Sequence, residues 1–207
     1  MLYNPFVCNQ RDFGGMSDQK SGKFLLHVCC APCCGGVIES FLQENIRPAV
    51  FFYNPNIYPR DEYELRKASL LAYIQHLGLA FIDADYDHDC WLDAVKGHEQ
   101  APERGTRCSL CFDLRLACTA RYAYQNGYAT FATTNAVSRW KDRSQVHMSG
   151  LKAAALYPGL KFLECNWQTP AMQKLANQVS NREKFYRQRY CGCEYSIPEK
   201  TNRIDIS

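Results

Sequence analysis

Short apolar runs recur along the chain, and longer stretches with a helical spacing of apolar positions separate them. The runs cover residues 23–28, 48–53, 79–83, 128–133 and 161–164, each of strand length. The stretches between them predict helices over about 33–45, 61–77, 108–126, 144–157 and 170–190. In the second of these, Leu70, Tyr73, Ile74 and Leu77 keep the period, Asp61 and Glu64 have the spacing of a capping box, and Gly78 supplies the stop. Gly127 and Pro158-Gly159 close two others. Residues 83–105 carry little period and read as an acidic, solvated stretch followed by a loop. Strands that alternate with helices predict an α/β fold, a parallel sheet with helices on both faces. Residues 1–22 read as a flexible N-terminal arm, and residues 23–207 as a single α/β domain.

Composition adds bounds. At 207 residues with 46% hydrophobic content, the chain can bury one substantial core. A net charge of +3 is too mild to diagnose nucleic acid by itself. No apolar run approaches the roughly 20 residues that span a bilayer. Residues 1–20 lack the layout of a signal peptide. The expectation is a cytoplasmic protein without a membrane partner. Twelve cysteines in that reducing setting point to metal or redox chemistry rather than structural disulfides.

The cysteines are grouped. His27-Val28-Cys29-Cys30-Ala31-Pro32-Cys33-Cys34 lies where the first strand gives way to the first helix. Ligands of open α/β sheets bind at that edge, and a helix N-terminus favours thiolates. Cys30-x-x-Cys33 and Cys108-x-x-Cys111 both have metal-ligand spacing. Four thiolates suit a structural zinc, but Cys29 and Cys34 are then surplus. An iron–sulfur cluster, or a cluster with a second metal, accommodates the extra thiols better. Cys191-Gly192-Cys193 reads equally as a redox-active pair or as two free thiols or added ligands. His27 reads as a histidine hydrogen-bonded in place. The acidic stretch Asp83, Asp85, Asp87, Asp89 lacks the glycine and terminal glutamate of a calcium loop. Cys8 reads as incidental.

The last predicted helix carries Lys174, Arg182, Lys184, Arg187 and Arg189, with Phe185, Tyr186 and Tyr190 interleaved. Alone it reads as a solvated face. A second basic group, Arg139, Lys141 and Arg143, follows the fourth strand at the same sheet edge as the cysteines, which raises the case for a nucleic-acid substrate. There is no phosphate-loop or dinucleotide fingerprint and no haem attachment motif.

Together, His27-Val28-Cys29-Cys30-Ala31-Pro32-Cys33, the run from Arg107 and Cys108 through Cys111 to Leu116, Thr133-Thr134 and Tyr190-Cys191-Gly192-Cys193 resemble the QueH-type epoxyqueuosine reductases. The likeness extends over almost the whole of residues 23–193. It implies a Rossmann-like fold akin to the adenine-nucleotide-hydrolase superfamily. It implies an oxidoreductase of queuosine biosynthesis, which removes the epoxide oxygen of epoxyqueuosine at the wobble position of tRNA with two electrons. It also implies a 4Fe-4S cluster held by Cys29, Cys30, Cys108 and Cys111, a redox-active disulfide at Cys191 and Cys193, and an adjacent mononuclear iron that Cys33 is placed to help hold. Spacing alone pairs Cys30 with Cys33, whereas the resemblance pairs Cys29 with Cys30. Cys34 lies beyond the match and receives no role. Arg182, Lys184, Arg187 and Arg189 are assigned to the tRNA anticodon arm. The partners implied are tRNA carrying epoxyqueuosine and an electron donor that the sequence does not identify. His27, Tyr190 and Asp113 are open as proton donors. A zinc-stabilised RNA-binding module without catalysis leaves the Cys191-Gly192-Cys193 motif unexplained. An iron–sulfur tRNA-thiolating enzyme needs an S-G-G-x-D-S loop where Cys29-Cys30-Ala31-Pro32-Cys33-Cys34 stands.

Overall fold

The computed structural model describes residues 23–138 and 140–197. The predicted arm at 1–22 and Arg139 lie outside the described residues. Five strands, β1 (Phe24–His27), β2 (Ala49–Phe52), β3 (Phe81–Asp83), β4 (Thr130–Thr133) and β5 (Lys161–Phe162), form one sheet in the order β3-β2-β1-β4-β5. Every pairing is parallel. Six helices flank the sheet: α1 (Ala31–Gln43), α2 (Arg60–His76), α3 (His88–Val95), α4 (Thr106–Gln125), α5 (Arg143–Ala155) and α6 (Pro170–Arg182). This is the α/β, Rossmann-like arrangement expected. None of the described helices is long and apolar enough to cross a membrane.

Parallel strands covered by helices are apolar for most of their length, and the central three are. Leu25, Leu26, Val50, Phe51, Phe52, Phe131 and Ala132 are fully buried and form the middle of the core. From β1 the chain builds outward through β2 to β3, then returns to add β4 and β5 on the other side. The order reverses between β1 and β4, and the crevice above that reversal is where α/β sheets bind ligands. His27 ends β1 opposite Thr133, which ends β4, so both turns open on that crevice.

Two helices differ from the sequence expectation. α3 occupies part of the stretch read as an acidic loop. Asp87 caps it by accepting a hydrogen bond from the Cys90 N–H at 3.2 Å, and Trp91 and Val95, one turn apart, are fully buried beneath it. α6 stops at Arg182, eight residues short of the predicted end at Tyr190. Lys184 takes a left-handed φ of 50°, and residues 184–193 run back as an irregular segment toward the crevice. α1 meets α6 closely because Gly36 has no side chain: a Cβ there would lie 2.9 Å from the backbone N of Ala176.

Candidate metal and redox site

The base of the crevice is fastened by His27. Its Nε2–H donates to the Tyr53 carbonyl at 3.0 Å, and its Nδ1 accepts from the Thr133 hydroxyl at 2.8 Å. Burial, reinforced by the charge of Arg115, lowers its pKa to about 3, so the ring is neutral. With both nitrogens spent, His27 ties the ends of β1 and β4 to the residue after β2. It is a bonded-in-place histidine and not a free proton donor.

Above it the chain turns into α1. Val28 N–H donates to the Phe51 carbonyl at 3.0 Å and the Val28 carbonyl accepts from Asn54 Nδ2 at 2.9 Å, which fixes the turn from both sides. Cys29, Cys30 and Cys33 follow, all buried, with their sulfurs within 4.8 Å of one another. Cys29 and Cys30 Sγ are 3.8 Å apart. Hydrogen bonds from the Cys30 and Cys33 thiols hold Cys29 well below the ordinary thiol range, and the Lys141 and Arg115 charges add to the effect. Cys30, the donor, is pushed up to about 12. Cys34 turns away: its thiol donates to the Ala31 carbonyl and it is buried in the core.

Two buried cations face these thiols. Lys141 Nζ donates to Cys29 Sγ at 3.6 Å and to Asn135 Oδ1 at 3.0 Å. Arg115 Nη2 donates to Asn54 Oδ1 at 2.5 Å and Asn135 Oδ1 at 3.1 Å, while Nη1 approaches Cys111 Sγ at 3.9 Å. Among the described residues neither cation has a carboxylate within ion-pair distance. Burying two unpaired cations is costly, so this site requires negative charge. Thiolates, or a thiolate-ligated metal centre with net negative charge, answer that requirement. The soft sulfur donors and the cations around them therefore fit a metal group.

Cys108 and Cys111 sit in the first two turns of α4. Cys108 Sγ accepts from the Arg104 N–H at 3.3 Å. They and Cys191 and Cys193 line one cleft of about 470 Å³, counting its open mouth, together with Lys141 and Arg115. Cys29, Cys30 and Cys33 are not in that lining; Lys141, bonded to Cys29, and Arg115, beside Cys111, connect them to it. Among the described residues, only Cys29, Cys30 and Cys33 form a group of three at metal-ligand spacing; none includes Cys108 or Cys111. Cys191 and Cys193 are free thiols. Burial raises both, Cys193 to about 12, so both keep their protons.

The remaining sequence candidates separate. Arg182 is exposed and paired with Glu39 at 2.5 Å and Glu183 at 2.7 Å. Lys184, Arg187 and Arg189 are exposed, on the segment beyond α6 rather than on a helix. Between them Gln188 turns inward and its Nε2 donates to Cys30 Sγ at 3.0 Å. Asp113 pairs with Lys152 at 3.4 Å, and the Tyr190 hydroxyl donates to the Tyr58 carbonyl. Sequence reasoning missed Arg115, Asn54, Asn135 and Gln188 as parts of the site, and read Lys141, placed at the cysteine edge, as one of a basic group for nucleic acid rather than as a partner of Cys29. Arg115 stands four residues after Cys111, one turn along the same helix, the one signal that marked it.

The family profile described as epoxyqueuosine reductase QueH matches residues 24–199. The Epoxyqueuosine reductase QueH of Acinetobacter baylyi is 44% identical over 185 residues, covering 89% of this chain and 84% of that protein. The protein of the same name in Haemophilus influenzae is 44% identical over 175 residues, 84% of this chain and 71% of its own length. That of Thermotoga maritima is 32% identical over 186 residues, 88% and 94% respectively. With Cys29, Cys30 and Cys33 gathered at the switch point of a parallel sheet, and this likeness running across nearly all of it, the chain belongs to the epoxyqueuosine reductase QueH family.

Proposed function

We propose that the chain reduces epoxyqueuosine to queuosine at the wobble position of tRNA, as a cytoplasmic oxidoreductase. The observation that carries this reading is a buried three-thiol group joined, through the buried Lys141, to a cleft lined by Cys108, Cys111 and the Cys-Gly-Cys dithiol. Cys29, Cys30, Cys108 and Cys111 would hold a 4Fe-4S cluster, with Cys33 on hand for an adjacent iron. Such a centre, when bound, supplies electrons singly and a Lewis-acidic metal.

The chain's own residues do the rest. Lys141 and Arg115 offset the charge of the thiolates and keep water-excluding, cationic walls around the reacting end of the substrate. The cleft opens to solvent with Trp140 at its lining, and a base must leave the anticodon stack to reach it. Deoxygenation of an epoxide to an alkene consumes two electrons and two protons and releases water. The Cys191 and Cys193 dithiol carries that number of each, and its oxidation to the disulfide balances one turnover. An external donor then restores the dithiol. The exposed Lys184, Arg187 and Arg189, on the segment that leads to Cys191, suit phosphate contacts.

The test is anaerobic purification, iron and acid-labile sulfide analysis, and turnover of epoxyqueuosine-containing tRNA. Iron, sulfide and queuosine formation are the expected result. Stoichiometric zinc in a colourless protein that gains no activity on reconstitution with iron and sulfide would refute the proposal and favour an RNA-binding module.

A further inference from the structure

Arg66 lies on α2, outside every cysteine motif, and is 2% exposed. Its Nε donates to Glu62 Oε1 at 2.7 Å, one turn earlier on the same helix. Its other two nitrogens leave the helix: Nη1 donates to the Cys191 carbonyl at 3.1 Å and Nη2 to the Tyr190 carbonyl at 3.2 Å. The guanidinium also lies over the Tyr190 ring, 5.4 Å from its centroid. Glu62 Oε2 accepts from the Tyr186 hydroxyl at 2.5 Å. Gly192 completes the junction. Its φ is 121°, its carbonyl accepts from Tyr58 N–H at 2.8 Å, and a Cβ there would lie 2.9 Å from Arg66 Nη1.

A buried ion pair is a poor way to add stability, since apolar residues of the same volume do as well or better. This one spends its donors on two consecutive carbonyls beside Cys191. A planar guanidinium can span both at once, and a lysine cannot. We propose that Arg66, oriented by Glu62 and Tyr186, is a positioning residue that fixes the backbone at residues 190–192, so that Cys191 and Cys193 face the crevice and keep their redox reactivity. The proposal rests on the reading of this pair as redox-active.

The test uses the full chain, purified without air, in the wild type and in Arg66→Lys and Tyr186→Phe. Arg66→Lys keeps the charge beside Glu62 but releases at least one carbonyl. Alkylation of Cys191 and Cys193 by iodoacetamide, read by peptide mass spectrometry, is expected to rise about tenfold as the segment opens. The dithiol–disulfide equilibrium in dithiothreitol buffers is expected to shift by a similar factor, about 30 mV for two electrons. Tyr186→Phe removes only the hydroxyl that orients Glu62, and a smaller rise of about threefold is expected; this variant serves if Arg66→Lys does not fold. Alkylation rates and equilibrium within twofold of wild type in a folded variant would overturn the clamp, whatever the turnover. A Cys191→Ser/Cys193→Ser protein that turns over at the wild-type rate would instead overturn the redox role of the pair and leave the clamp to be judged on alkylation alone.

Discussion

Acid should unfold this protein earlier than its surface charges require, and His27 is the reason. In the unfolded chain a histidine takes a proton at its ordinary pKa of 6.5; in the fold, burial and the charge of Arg115 lower that value to about 3. Between those two values the unfolded state binds one more proton than the native state, so stability falls as pH falls through that window. From pH 7 to pH 5 the single group costs about 2 kcal/mol, and each further unit down to about pH 3 costs about 1.4 kcal/mol more. The loss is a sizeable share of the roughly 5–15 kcal/mol that holds a domain together. His27→Gln removes the titration while its amide N–H can still reach the Tyr53 carbonyl. Urea unfolding of the metal-free chain at pH 5, 6 and 7 isolates the effect. The gap between the two proteins is expected to change by about 2 kcal/mol across that range, the wild type losing more. Parallel pH dependences would refute the assignment of a neutral, fully bonded His27.

Three other outcomes are expected. Gly36→Ala normally stabilises a helix by up to about 1 kcal/mol, but here the new Cβ meets the Ala176 backbone at 2.9 Å, so α6 must move and a net loss of about 1–3 kcal/mol should appear as a lowered Tm. Cys108→Ala should abolish iron and sulfide uptake together with turnover, measured by elemental analysis and tRNA assay; retention of either contradicts the ligand assignment. Arg187→Gln with Arg189→Gln should weaken tRNA binding and flatten the slope of log K against log salt by up to about 2, read by binding titrations at several salt concentrations.

How far the sequence carried depended on how local the physics was. β1, β2 and β4 were legible because each has an apolar middle within a short run, and the alternation with helices implied the parallel sheet. The cysteine motifs were legible because they are local: Cys29, Cys30 and Cys33 lie within one turn, so the pair that spacing suggests, Cys30 with Cys33, and the pair that the resemblance implies, Cys29 with Cys30, both fall inside the compact group. α3 was hidden because Asp83, Asp85, Asp87 and Asp89 dominate the stretch that contains it, while its burial depends on only Trp91 and Val95. The end of α6 was hidden because residues 183–190 mix bases and aromatics much as a helix does; what ends it is the backbone at Lys184 and the pull of partners elsewhere in the fold. Lys141 reaches Cys29 across 112 positions, and Arg66 reaches Cys191 across 125, distances over which no periodicity speaks.

Gln188, which covers Cys30, and the Cys191-Gly192-Cys193 motif all lie after the last strand in the chain. During synthesis the sheet is complete in sequence once Phe162 has been added, yet the cover of its thiols is not. At roughly 5–20 residues per second, the interval before residue 193 is reached lasts about 2–6 seconds. For that time a nascent chain can present Cys29, Cys30 and Cys33 at the switch point without the segment that later shields them. Those seconds are when the thiols are open to a metal carrier, and equally when they are open to an oxidant.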